Sequence, residues 1–219
     1  MKVLVVGSTG GSGRRAVEQL LSAGHEVTAF SRRADRVEAR SERLQFLNGD
    51  ATNPAEIEHA VSGQDAVVVT LGITENPLRV RLLGPARTRP DVRSAGTRNV
   101  ISAMRKHGVR KLVVQTTYGV GATRDRLRFA DRLFFKLILA PQIADTERQN
   151  QDVTESELDW VIAQPVHLTD EAKDDMPFVS TEGETSEMKV SRGSVGRFLA
   201  SAVESPNFLR KSVALSGKS

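Results

Sequence analysis

Residues 2–24 read KVLVVGSTGGSGRRAVEQLLSAG, and the order of the parts decides the fold. A short β-branched run ends at Gly7. Then come Gly10 and Gly13, and after them a stretch with helical spacing that carries Ala16, Leu20 and Leu21 and stops at Gly24. The triplet has the form G-x-x-G-x-x-G, and each glycine has a steric reason. One makes a tight turn, one lets backbone N–H groups approach a pyrophosphate, and one lets the helix pack closely on the strand. The helix start presents unsatisfied donors and a partial positive charge to an anion. Strand, glycine loop and helix in this order imply a dinucleotide site.

The same rhythm runs outward from this unit. EVTAFS (26–31), LQFLNG (44–49), DAVVVTLG (65–72), KLVVQTT (111–117) and WVIAQP (160–165) read as buried parallel strands. PAEIEHAVSG (54–63), SAGTRNVISAMRKHGV (94–109) and DTERQNQDVTESELD (145–159) read as the helices between them. The fold class is therefore α/β, a doubly wound parallel sheet of the Rossmann type. After Pro165 the rhythm changes. Residues 166–219 hold two weak strand candidates, FVST (178–181) and VALS (213–216), around one helix near 191–203. That is too little to fold alone, so the expectation is one domain over 1–219, with 166–219 forming a small substrate cap over the strand ends.

Composition narrows the chemistry. The 219 residues include no cysteine, which removes disulfides, thiolate nucleophiles and cysteine-held metals and fits a reducing compartment. The four histidines, His25, His59, His107 and His167, have no metal spacing, so no metal site is expected. The first apolar run is too short for a secretory signal, and nothing approaches the roughly 18 to 20 apolar residues of a membrane span. The expectation is a cytoplasmic protein, monomer or homodimer. A net charge of +4 without aromatic interleaving or a basic block does not indicate nucleic acid.

The end of the second strand selects the dinucleotide. NAD is held by an acidic residue there, whereas the 2′-phosphate of NADP is repelled by a carboxylate. This chain has AFSRR, placing Ser31, Arg32 and Arg33 at that point with Arg36 a turn later. Guanidinium forks match phosphate oxygens, so NADP(H) is the expected cofactor. Asp50, in NGDATNP, is read either as meeting the adenine amino group or as a helix cap, and the two are compatible.

With these residues in place, the chain resembles the atypical short-chain dehydrogenase/reductases of the NAD(P)H-binding, NmrA-like kind, in particular the flavin reductase/biliverdin reductase B group. The resemblance rests on GSTGGSG (7–13), SRR (31–33), GDATNP (49–54), GQDAVVVTLG (63–72), GTRNVISAMRKHGVRKLVVQTT (96–117), LDWVIAQPVHLTD (158–170) and VSRGSVGRFL (190–199). It implies that Gly7, Thr9, Gly10, Gly11 and Ser12 hold the pyrophosphate. Arg32, with Arg33 or Arg36, takes the 2′-phosphate. Asp50 and Ala51 touch adenine, and Leu71 and Gly72 pass beneath the adjoining ribose. Thr116 and Thr117 border the nicotinamide ribose. Pro165, Val166, His167 and Leu168 meet the carboxamide through their backbone.

Two departures from that group stand out. An ungapped match puts Thr146, Asn150 and Gln151 where the group carries histidines and a lysine. The chain also has a more basic stretch, with Arg79, Arg81, Arg87 and Arg89, and an amphipathic insert at 124–142. In that insert Phe129, Leu133, Phe134 and Phe135 are read as walls for a planar acceptor, as core, or as a dimer contact. Asp145, Glu147 and Arg148 are read as a solvated first helical turn.

The lone tyrosine, Tyr118, stands in QTTYGVG (115–121) beside Thr117, and these two are the candidate catalytic residues. Four residues on, where a lysine would tune the phenol, stands Ala122. Carbonyl reduction leaves an alkoxide that needs a proton, whereas a flavin or quinone delocalises the electron pair and takes protons from water. The expected activity is NADPH-dependent hydride transfer to a small conjugated acceptor. The alternative is an NmrA-like regulator that senses NADPH and turns over nothing.

Overall fold

The computed structural model describes residues 1–73, 88–126 and 140–218. Its element order is β1 (Lys2–Val6), α1 (Gly11–Ser22), β2 (Glu26–Ser31), a short 3-10 turn (Ala34–Arg36), β3 (Leu44–Asn48), α2 (Pro54–Val61), β4 (Ala66–Val69), α3 (Val92–His107), β5 (Lys111–Gln115), a second 3-10 turn (Gly121–Arg126), α4 (Ala140–Thr154), β6 (Asp159–Pro165), β7 (His167–Thr169), β8 (Phe178–Ser180), β9 (Lys189–Ser191), α5 (Arg192–Glu204) and β10 (Lys211–Ser216). The main sheet has the strand order β3-β2-β1-β4-β5-β6-β10-β8, and every pairing is parallel except β10 with β8. The order reverses at β1 and β4, which opens a crevice beyond their carboxyl ends.

Helices cover both faces, and this is why the central strands β1 and β4 are buried along nearly their whole length. Val3 and Val5 enter one core with Ala16, Val17, Leu20, Phe198 and Leu199, beneath α1 and α5. Leu4 and Val6 enter the opposite core with Ile57, Val100, Met104 and Ile162, beneath α2, α3 and α4. Truncating any of these fully buried leucines or isoleucines to alanine costs about 2–5 kcal/mol.

Helix ends follow their capping chemistry. Gly24 adopts φ +90° just after α1, where a left-handed residue ends a helix at little cost. Asn53 caps α2, its Oδ1 accepting from the Ala55 amide at 3.1 Å while Glu56 Oε1 accepts from Asn53 Nδ2 at 2.6 Å. The cap is thus Asn53 and not Asp50, which instead closes a local turn by accepting from the amide and hydroxyl of Thr52 at 2.8 and 2.9 Å.

The segment after Pro165 departs from the expected cap. β10 adds to the main sheet beside β6, and β8 closes that edge. α5 packs along α1 as part of the helix layer. Burial explains this outcome: Val213, Ala214, Leu215, Phe198 and Leu199 are almost wholly excluded from solvent and belong to the common core. The pair β7–β9 starts just past the carboxyl end of β6, and α5 follows β9. α4 also begins at Ala140, within the stretch read as an insert. The remainder of that stretch, with Phe129, Leu133, Phe134 and Phe135, lies outside the described residues, as do Arg79, Arg81 and Arg87. No helix among the described residues is long and apolar enough to cross a membrane.

Candidate functional site

A groove of about 700 Å³ follows the carboxyl ends of β1, β2, β4 and β5. Its floor is the glycine loop. Gly7, at φ +91°, turns the chain so that its amide donates to Phe30 O at 2.9 Å, and the Gly10 amide donates back to Gly7 O at 3.0 Å. Gly10 is the N-cap of α1 and offers no side-chain acceptor, so the first-turn amides stay uncapped and open to an anion. Gly13 does not line the groove; a Cβ there would sit 2.3 Å from Gly7 O and 2.8 Å from Thr70 Oγ1. It is the glycine of helix-on-strand packing. Gly7, Thr9, Gly10, Gly11 and Ser12 all line the groove.

Ser31, Arg32, Arg33 and Arg36 line one end of it. The turn that carries them is held by Asn48 Oδ1, which accepts from the Ala34 amide at 2.7 Å, and by Ser31 Oγ, which accepts from the Arg33 amide at 3.3 Å. Arg32 Nη2 donates to Thr88 Oγ1 at 3.3 Å. Asp50, Ala51, Leu71 and Gly72 form the adjoining wall. The loop, the uncapped amides and the guanidinium cluster fit a dinucleotide with an extra phosphate on its adenosine half.

The other end differs from expectation. Gln115 lines the groove, while Thr116 and Thr117 do not. Thr116 is buried, with its amide donating to Ala163 O at 2.8 Å. Tyr118 is 5% exposed, belongs to the core beneath α1 and α5, and donates its hydroxyl to Gly183 O at 2.9 Å. Burial raises its pKa above the ordinary tyrosine value. Neither Thr117 nor Tyr118 faces the groove.

The backbone of 165–167 is likewise engaged elsewhere. Pro165 O accepts from the Tyr118 amide at 2.9 Å, the Val166 amide donates to Leu215 O at 3.0 Å, and the His167 amide donates to Met188 O at 3.3 Å. Of the four residues only Leu168 lines the groove, and the His167 side chain is exposed. The partners are Tyr118 after β5, Leu215 in β10 and Met188 just before β9, none of them signalled locally in the sequence.

The groove also contains arginines that sequence reasoning missed: Arg14, Arg93 and Arg192, with Arg89 beside them. Arg14 Nε donates to Thr9 O at 3.2 Å. Arg89 forms a forked pair with Asp91 at 3.0 and 2.9 Å. Arg192, at the start of α5, lies across Gly11, where an added Cβ would come within 2.5 Å of its Cδ; its Nη1 donates to Asp170 Oδ1 at 2.7 Å. Among the described residues that line the groove, Asp50 is the one carboxylate. Arg192 stands in the VSRGSVGRFL stretch quoted above, so position was the available signal. Arg93 carried none.

Asp145 is not in a solvated turn. It is 3% exposed and caps a different helix, its oxygens accepting from the Arg93 amide at 3.0 Å, the Ser94 amide at 3.1 Å and the Ser94 hydroxyl at 2.6 Å. A carboxylate at the first turn of α3 satisfies orphan amides and suits the helix dipole. Glu147 pairs with Arg124 at 3.1 Å, and neither lines the groove. A shallower cavity of about 800 Å³, bordered by Trp160 and Arg210, has no phosphate loop.

The chain is similar to known proteins in sequence and in fold. The chain is 33% identical over 120 residues to a 2-alkyl-3-oxoalkanoate reductase of Stenotrophomonas maltophilia, a match covering 55% of this chain and 34% of that protein. The match thus spans about a third of the relative's length. An anaerobillin reductase of Escherichia coli superposes with a TM-score of 0.74 at 20% identity, covering 99% of this chain and 97% of that one. A short-chain dehydrogenase/reductase of Veillonella parvula, in complex with NADP, does so with a TM-score of 0.73 at 16% identity, covering 99% and 94%. At these identities the likeness to the solved structures is one of fold. The sequence profile of the NAD(P)H-binding family matches residues 7–206, and the chain belongs to that family.

Proposed function

We propose that this chain is an NADPH-dependent reductase of the cytoplasm, acting on a flavin, quinone or similar conjugated acceptor without a Tyr–Lys pair. The observation that carries this reading is the commitment of Tyr118: its hydroxyl is buried against Gly183 O, and Ala122 stands where a lysine partner would be. Reduction of an isolated carbonyl needs a positioned acid, worth about 10²- to 10⁴-fold in rate. Among the described residues lining the groove the one carboxylate is Asp50, which lies with Ser31 and Arg33 at the adenosine end. When bound, the nicotinamide supplies a hydride; the chain's residues supply binding and orientation. Arg32, Arg33 and Arg36 would hold the 2′-phosphate, and the uncapped amides of Gly11 and Ser12 the pyrophosphate. Gln115 and Leu168 would border the acceptor.

The name of the Stenotrophomonas relative points to an oxo acid as an alternative acceptor, and the regulator reading has no acceptor at all. One assay separates the three: NADPH oxidation by the full chain with FMN, a quinone and a panel of 3-oxo acids. We expect turnover with flavin or quinone to exceed that with every oxo acid by more than about tenfold. The reverse order would overturn the proposal. Tight NADPH binding with no turnover on any acceptor would leave a dinucleotide sensor in its place.

A further inference from the structure

The arginines of the groove are not equivalent. Arg89 and Arg192 meet carboxylates, Arg14 meets a carbonyl of the glycine loop, and the cluster at the end of β2 faces the 2′-phosphate position. Arg93 differs from all of these. A guanidinium has five N–H donors. Here one hydrogen bond from Nη1 reaches Leu71 O, at 3.3 Å, and Nε is shut from solvent with no partner.

Among the described residues, the carboxylate whose field reaches it, Asp145, is already used. Its oxygens take the Arg93 and Ser94 amides and the Ser94 hydroxyl, so it fixes the backbone that carries Arg93 while its field favours the positive charge. Burial pulls the guanidinium below its ordinary value, and a guanidinium still keeps its proton. The wall facing it is Gly72, where any Cβ would come within 3.3 Å of Nη2, so glycine leaves the fork uncovered toward the groove. A half-buried cation whose Nε is shut from solvent without a partner is costly unless something else completes its bonding. The fork geometry suits two oxygens of one anion.

We infer that Arg93 is an oxyanion-binding residue of the groove, distinct from the 2′-phosphate cluster, and that it receives a phosphate or carboxylate oxygen of a bound ligand. That oxygen comes from the dinucleotide pyrophosphate or from an anionic acceptor. The inference rests on the groove being the NAD(P)H site and not on turnover.

The test uses the full chain with Arg93→Met and Arg93→Lys. Dissociation constants are measured for NADPH, and for FMN and riboflavin on the NADP⁺-loaded protein, by fluorescence; FMN and riboflavin differ only in a phosphate. Arg93→Met is expected to weaken one oxyanion-bearing ligand by about tenfold or more, the size of one charge-assisted contact. Loss with FMN but not riboflavin assigns the anion to the acceptor, and loss with NADPH assigns it to the cofactor. In either case Arg93→Lys recovers most of the affinity, and the ligand-free Tm of the Met variant stays equal or rises, because an underpaired, half-buried cation has been removed. All three affinities within about twofold of the parent would overturn the inference. So would a fall in ligand-free Tm with equal losses for FMN and riboflavin, which marks a structural arginine. Absence of turnover, by contrast, would sink the reductase proposal and leave these binding results standing.

Discussion

The two ends of the groove are built differently. At the end that carries Arg32, Arg33 and Arg36, each contributing segment follows directly from the strand that places it: the loop after β1, the SRR turn after β2, Asp50 and Ala51 after β3, Leu71 and Gly72 after β4. At the other end the groove is assembled from Gln115, Leu168, Arg93 and Arg192, which come from four elements far apart in the chain. The first end is specified by short motifs with a steric or electrostatic reason at each position. The second depends on pairings that form only once the sheet is complete.

Substitutions can break this contrast, and the largest effect belongs to the glycine loop. Gly13→Ala drives a methyl group against Gly7 O, a backbone atom with little room to yield. We expect a stability loss of about 3 kcal/mol, the upper range for overpacking, and NADPH affinity reduced about 100-fold or more. Thermal unfolding and titration check both; affinity retained within about threefold would mean that the loop tolerates what its geometry forbids.

Next comes Arg32→Glu, which sets a carboxylate against the 2′-phosphate. NADPH binding should weaken about 30-fold or more, with NADH changing less than about threefold, in parallel titrations. Equal losses for the two would place Arg32 outside the phosphate subsite.

The smallest effect is expected from Tyr118→Phe. Removing the hydroxyl leaves Gly183 O without that donor, at about 1–2 kcal/mol of stability, while turnover with a flavin or quinone falls less than about threefold. Near-total loss of turnover would return Tyr118 to the role of proton donor. The pH dependence has a definite sign. The folded tyrosine keeps its proton longer than the unfolded one, so parent stability declines as pH climbs from about 10 through the raised folded value. The phenylalanine variant should lack that part of the decline, in unfolding curves taken across the range.

Much of the fold was legible because its strands are buried on both faces and its helices stop at glycine or start at capping residues; Gly24 and the 54–63 stretch needed no tertiary information. The C-terminal segment was not legible for the same physical reason in reverse. KSVALS is short, and whether it pairs with β6 or lies over the strand ends is decided by the open edge of β6, not by its own residues. Tyr118 misled because a polar residue just after a strand looks like a site residue, whereas its hydroxyl partner, Gly183, is 65 positions away. Arg93 was overlooked and Asp145 was read as solvated, because each looks like an ordinary surface charge until α3 and α4 pack together.

The strand that ends the sheet bears on solubility. β8 spans three residues and runs antiparallel to β10, so among the described residues this border offers few free amides and carbonyls to a second chain. The opposite border is less guarded. β3 spans five residues and exposes Phe46 at 42%, and its charged neighbours Glu42 and Arg43 lie before the strand rather than in it. Intermolecular strand pairing, at high concentration or after partial unfolding, therefore has its most available template at β3, and a lysine at position 46 is the change that would blunt it.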